Sequence, residues 1–129
     1  FKTYIKRQIE YSYMFNGSKL VPHTDSRYKL LSLMLYFPEI EKENNLSHVE
    51  KKSGTVFWNS DIKNLNNKHL THNLDEKEFI KKSKKLLTTS FEKYHLYGFI
   101  RNEYSWHSVE KLNIREDYIR KSININFFF

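Results

Sequence analysis

A chain of 129 residues with a formal charge of +7 has the length of a single domain, 1–129, enough to bury a real core and too short for two independently folding units. It has no cysteine, which excludes disulfides, thiolate zinc sites, iron–sulfur clusters and a cysteine nucleophile, so any metal must be held by His, Asp or Glu. The charge comes from 17 lysines against 5 arginines, beside 12 asparagines and no alanine, a skew that looks like codon bias rather than a phosphate-binding face, so no nucleic-acid partner is expected.

The sequence starts at Phe1 and a strand-like segment follows almost at once, so it reads as a fragment whose N-terminal part is missing. No signal-peptide pattern is visible. The longest apolar run, Leu30 to Phe37, is interrupted by Ser32 and is far shorter than the roughly 20 residues of a membrane helix. These features predict a soluble, cytoplasmic protein with no membrane partner.

In chain order, Gln8 to Phe15 alternates around Tyr11, Tyr13 and Phe15, which places aromatic rings on one face of a strand. Asn16-Gly17 is a tight turn. Leu20 to Asp25 is short and extended, with Pro22 limiting its pairing. Leu30 to Phe37 is apolar on both alternating faces, which predicts a strand buried from two sides, and Pro38 ends it. Glu39 to Ser53 is polar and predicts a surface loop before a strand over Gly54 to Trp58. Asp61 to Asn73, rich in Asn and Lys, leads into a helix from Leu74 to about Leu87. Its acids Asp75, Glu76 and Glu78 precede Lys81, Lys82, Lys84 and Lys85, the order that the helix dipole favours, so the lysines form a solvated face. Tyr94 to Arg101, Trp106 to Val109 and Ile119 to Phe127 resume strand character, with a turn at Asn102-Glu103. Seven or eight short strands and one helix, without regular strand–helix alternation, predict a β-sandwich or jelly roll.

His23-Thr24-Asp25 carries the functional reading. On an extended segment residues i and i+2 point to one side, so an imidazole and a carboxylate face one point while Thr24 faces away. Alone the pair means little: 6 His and 4 Asp in 129 residues supply roughly 0.2 such pairs by chance. Its context is a distant histidine in Ser105-Trp106-His107-Ser108-Val109, followed by Arg120-Lys121-Ser122 at the start of the last strand. With Leu20-Val21-Pro22-His23-Thr24-Asp25, Leu31-Ser32-Leu33-Met34-Leu35-Tyr36 and Phe99-Ile100-Arg101, this series resembles the iron(II)/2-oxoglutarate-dependent oxygenase superfamily, in particular its prolyl-hydroxylase-like branch. The match runs from about Tyr11 to Asn126.

The resemblance implies a mainly β fold: a double-stranded β-helix, which is a distorted, cupin-like jelly roll, with one or two helices. It implies that His23, Asp25 and His107 hold Fe(II) on one octahedral face and leave three positions open. The co-substrates would be 2-oxoglutarate and dioxygen, with ascorbate as an optional reductant. The activity would be that of a dioxygenase, coupling oxidative decarboxylation of 2-oxoglutarate to hydroxylation of a prolyl or other protein side chain, or of a small metabolite. The far carboxylate of 2-oxoglutarate needs a cationic fork. Arg120 fits, with Ser122 on its face and Lys121 pointing away, and Arg115 is its rival. By position in the family pattern Tyr36 would donate to the same carboxylate, and Tyr13 would lie near the metal end.

The chain departs from the pattern in three places. It has Ser53-Gly54 where many relatives have Gly-Gly, and Tyr94-His95-Leu96 where relatives often have an asparagine. The N-terminal helices that cover the larger sheet in relatives are not visible either, which leaves Ile123, Ile125 and Phe127 short of cover. Retention of Asp25 speaks against halogenation, which goes with loss of the carboxylate. The competing reading is a non-catalytic jelly-roll binding module, in which the His–Asp pair is a surface hydrogen bond, His107 is an ordinary buried histidine and no metal binds. His69 and His72 stand at i and i+3 in a stretch without helical character and are not read as a site. His48 and His95 have no partner pattern.

Overall fold

The computed structural model describes residues 4–40, 48–63 and 75–129. Among them run β1 (Lys6–Met14), β2 (Leu20–His23), β3 (Lys29–Tyr36), β4 (Glu39–Ile40), α1 (His48–Lys51), β5 (Val56–Asn59), α2 (Glu76–Lys82), β6 (Lys84–Thr88), β7 (Leu96–Ile100), β8 (His107–Val109) and β9 (Tyr118–Phe128). The larger sheet has the order β1-β9-β3-β7, with β4 added on β9, and the smaller has the order β2-β8-β5-β6. Every pairing is antiparallel. The protein is therefore mainly β, two antiparallel sheets forming a sandwich. No helix of the described residues is long and apolar enough to cross a membrane.

β9 organises the larger sheet from its middle. Its register sets Arg120 opposite Met14, and Ser122 opposite both Ser12 and Tyr36. The usual alternation is inverted on this strand. Arg120, Ser122, Asn124 and Asn126 face the interior, where they line a cavity, while Ile123 and Ile125 take the opposite face by the period of two. A polar inner wall is a poor core and a good binding surface, because each of these side chains keeps hydrogen-bonding capacity for a guest.

Two apolar clusters hold the sandwich. Met34, Tyr36, Phe91, Val109, Leu112, Ile114 and Tyr118 close one end between the sheets. The second consists of Val56, Trp58, Phe79 and Trp106. Here α2 lays Phe79 on the smaller sheet, its ring 5.7 Å from Trp58 and 4.8 Å from Trp106. Each such side chain contributes about 1.5–3 kcal/mol through burial. The indole N–H groups are satisfied as well: Trp58 donates to Ser108 Oγ at 2.9 Å and Trp106 to the Ile62 carbonyl at 2.6 Å.

Three sequence expectations change. The helix expected from Leu74 to Leu87 ends at Lys82. It starts at the cap Asp75, whose carboxylate accepts from the amides of Lys77 and Glu78. Ser83 then turns extended, and Lys84 to Thr88 pair with β5. The open edge of β5 offers backbone hydrogen bonds that local propensity does not anticipate. The lysines stay solvated across this break, Lys82 against Glu78 and Lys85 against Glu110. The stretch Glu39 to Ser53 is not all loop. Glu39–Ile40 adds to β9, and the short α1 buries Glu50 against Arg115, with Nε 2.9 Å from its carboxylate. Finally, β3 is buried on one face only. Ser32, Met34 and Tyr36 face the partner sheet, and the leucines between them stay half-buried.

Two positions demand their backbone. Gly17 turns with φ +80° between β1 and β2, a conformation that glycine adopts without steric cost. At Gly54 a Cβ would stand 1.9 Å from the Thr89 carbonyl, so no side chain fits between β5 and the chain that follows β6.

Candidate metal centre

β2 and β8 are adjacent and antiparallel, and their register sets His23 directly opposite His107. The two imidazole centroids lie 4.3 Å apart. Asp25, two residues beyond His23, returns its carboxylate to the same side. Its Oδ1 lies 4.0 Å from His23 Nε2 and 3.9 Å from His107 Nε2. One donor atom from each of the three residues falls within 4.8 Å of the others, and all three residues are buried. Donors sharing one octahedral face at about 2.1 Å from an ion stand roughly 3.0 Å apart. Small side-chain rotations therefore bring this set from its present spacing to a closed one.

The backbone sets the tautomers. His23 Nδ1 lies 2.9 Å from the Val21 carbonyl, and His107 Nδ1 lies 2.9 Å from the Ser105 carbonyl. A carbonyl only accepts, so each Nδ1 carries the proton and each Nε2 turns a lone pair toward the shared point. Burial, then the neighbouring His23, push His107 down to about 4, so at neutral pH its ring is uncharged and can act as a ligand. Burial alone would raise the Asp25 carboxyl, but His107, which becomes charged in the acid range where this carboxyl titrates, Lys29 by charge and hydrogen bond, and His23 outweigh it and hold the group below its usual value. Two imidazoles and one ionised carboxylate suit a borderline divalent ion such as iron(II). The residues present fit that group.

Asp25 is fixed on its other side. Oδ2 lies 3.1 Å from Lys29 Nζ and 3.1 Å from Ser32 Oγ, while Arg101 Nε donates to its backbone carbonyl at 3.1 Å. The Ser32 hydroxyl is equally close to Asn126 Oδ1, but it has one proton, and the ionised carboxylate is the stronger acceptor.

A cavity of about 520 Å³ runs between the sheets from the triad to Arg120, Tyr36 and Ser122, within the ~300–1,000 Å³ range of small-molecule sites. Arg120 is 3 % exposed. Its Nε donates to the Ser53 carbonyl at 2.7 Å, and its guanidinium stands 4.3 Å from the Phe91 centroid and 5.6 Å from that of Tyr36. Burial pushes its pKa down. Among the described residues no carboxylate pairs with it, which is a costly state for a buried cation unless an anion arrives. Arg115, the rival anchor, does not line this cavity and is committed to Glu50 and Asp117.

Of the remaining expected residues, Tyr36 is fully buried, donates to Thr55 Oγ1 at 3.0 Å and lies 2.9 Å from Thr89 Oγ1. Ser122 faces the cavity and donates to Asn124. Tyr13 is a correction. Strand parity turns Ser12 and Met14 inward and Tyr13 outward, where it is exposed beneath Lys121. His69 and His72 lie outside the described residues. Sequence reasoning missed Lys29, Ser32 and Thr55 on the cavity wall. For Ser32 the signal was its interruption of an apolar run. Thr55 has no local signal, since its role depends on where β5 crosses β3. No family model and no curated protein matches this chain.

Proposed function

We propose that this sandwich is a double-stranded β-helix and that the protein is an iron(II)- and 2-oxoglutarate-dependent dioxygenase that hydroxylates a small molecule or a protein side chain. The observation that carries the reading is a pair of complementary sites in one cavity: a buried His23–Asp25–His107 donor set at one end and, at the other, a buried guanidinium that no carboxylate pairs with among the described residues. A diacid with a metal-chelating head and a free carboxylate tail matches both. When bound, iron(II) with 2-oxoglutarate and dioxygen would supply the oxidising chemistry.

The protein's own residues have distinct tasks. His23, Asp25 and His107 would hold the ion from one side and leave the cavity side open. Arg120 would take the far carboxylate through paired N–H donors, with the Tyr36 and Thr55 hydroxyls beside it. Phe99, its ring 4.6 Å from that of His107, would keep water from the ligand face. The polar wall formed by Ser122, Asn124 and Asn126 would meet the substrate. Titration of 2-oxoglutarate by calorimetry tests the reading: the Mn(II)-loaded protein should bind it and the metal-free protein should not. Equal binding with and without metal would contradict it.

A further inference from the structure

Resting on the metal-centre reading, we infer that Lys29 and Ser32 are positioning residues that hold Asp25 to one-oxygen coordination and so set how many positions on the ion stay open. A carboxylate can bind an ion through one oxygen or two. In this protein the two oxygens have separate partners: Oδ1 faces both Nε2 atoms at 4.0 and 3.9 Å, while Oδ2 faces Lys29 Nζ and Ser32 Oγ, each at 3.1 Å. The lysine is placed for this. Its side chain is 12 % exposed, and its ammonium stands 5.7 Å from the centroid of the Phe128 ring, which also lines the cavity. An ammonium next to an ion site is electrostatically costly for a cation, so its presence there calls for a compensating role.

Coordination arithmetic supplies that role. With one oxygen from Asp25 and two imidazoles, an octahedral ion keeps three positions, enough for a chelating 2-oxo acid and one further ligand. If Oδ2 swung onto the ion, one of those positions would be lost. Lys29 and Ser32 act through Asp25, since each bonds the oxygen that would otherwise turn.

The test counts the exchangeable waters on Mn(II), read as water-proton relaxivity per bound ion, together with 2-oxoglutarate affinity of the Mn(II)-loaded protein. In a Lys29→Met/Ser32→Ala variant relaxivity per bound Mn(II) should fall by about one third, three open positions becoming two. 2-Oxoglutarate should bind about tenfold more weakly, the scale expected when a ligand's supporting hydrogen bonds are lost. Lys29→Arg should restore both. If the double variant does not fold, Lys29→Met and Ser32→Ala singly should each move relaxivity the same way. Unchanged relaxivity with a lowered melting temperature would make the pair a structural ion bridge and overturn the inference. A parent protein that binds Mn(II) with only two exchangeable waters would overturn it alone. A parent that binds no Mn(II) would remove the metal centre, and this inference with it.

Discussion

The proposed metal end of the cavity is built from two adjacent strands of the smaller sheet, and backbone carbonyls aim its donors: Val21 and Ser105 fix the histidine tautomers. The arginine end comes from the middle of the larger sheet. There a cation rests on the π faces of Phe91 and Tyr36 and donates to the Ser53 carbonyl. One end offers a carboxylate and two imidazoles, and the other a buried cation that no carboxylate pairs with among the described residues. The two ends differ in chemistry and in the sheet that carries them, so substitutions at them should separate metal binding from co-substrate binding.

The largest effect is expected at the metal end. His107→Ala should weaken Mn(II) binding by more than about a hundredfold, beyond the ~10–100-fold cost of losing a supporting hydrogen bond, and 2-oxoglutarate binding should be lost with it. Fluorescence-monitored metal titration measures this, and near-parental affinity would take His107 out of the site.

The next effect needs no ligand. The unfolded chain protonates this histidine near 6.5, whereas the folded protein does so only at about 4. Between these values the unfolded state binds more protons. Stability is therefore complete above pH 6.5 and declines by up to about 3 kcal/mol as pH falls to 4. The depressed Asp25 carboxyl adds a further loss as pH falls below the usual carboxylate range. Urea midpoints of the metal-free protein at pH 7 and 4.5 measure the decline, and equal midpoints would contradict it.

Arg120→Met should show the opposite pattern to His107→Ala. Losing paired, charge-assisted hydrogen bonds should weaken 2-oxoglutarate binding to the Mn(II)-loaded protein by about a hundredfold. Mn(II) affinity should not change, and the urea midpoint should hold or rise as a desolvated charge gives way to an apolar chain. If metal and 2-oxoglutarate affinities fell together, the two ends would not be independent. The smallest effect is at Tyr13, which points away from both ends. Tyr13→Ser should leave both affinities within about twofold, as for other surface substitutions, and a larger drop would return Tyr13 to the cavity.

How far the site was legible in the sequence follows from what is local. His23 and Asp25 were readable because i and i+2 share a face of any extended segment, and Arg120 with Ser122 for the same reason. Tyr13 shows the limit of that rule, because its strand is evident in the sequence and its inner face is not. Alternation shows that Tyr11 and Tyr13 share a face but not which face the sandwich encloses, and the aromatic face proved to be the outer one. On β9 parity sets Ile123 and Ile125 on the face opposite Arg120 and Ser122, and the sandwich encloses the polar face. β6 continues a helix-like local sequence, and the edge pairing with β5 that makes it a strand is non-local. Lys29 and Ser32 acquire meaning only once Asp25 is in place.

The most direct test is anaerobic addition of Fe(II) and 2-oxoglutarate to the protein, followed by visible absorption. A metal-to-ligand charge-transfer band that requires both additions and disappears in His107→Ala is expected. No band in the parent protein, or an unchanged band in that variant, would contradict the metal-centre reading.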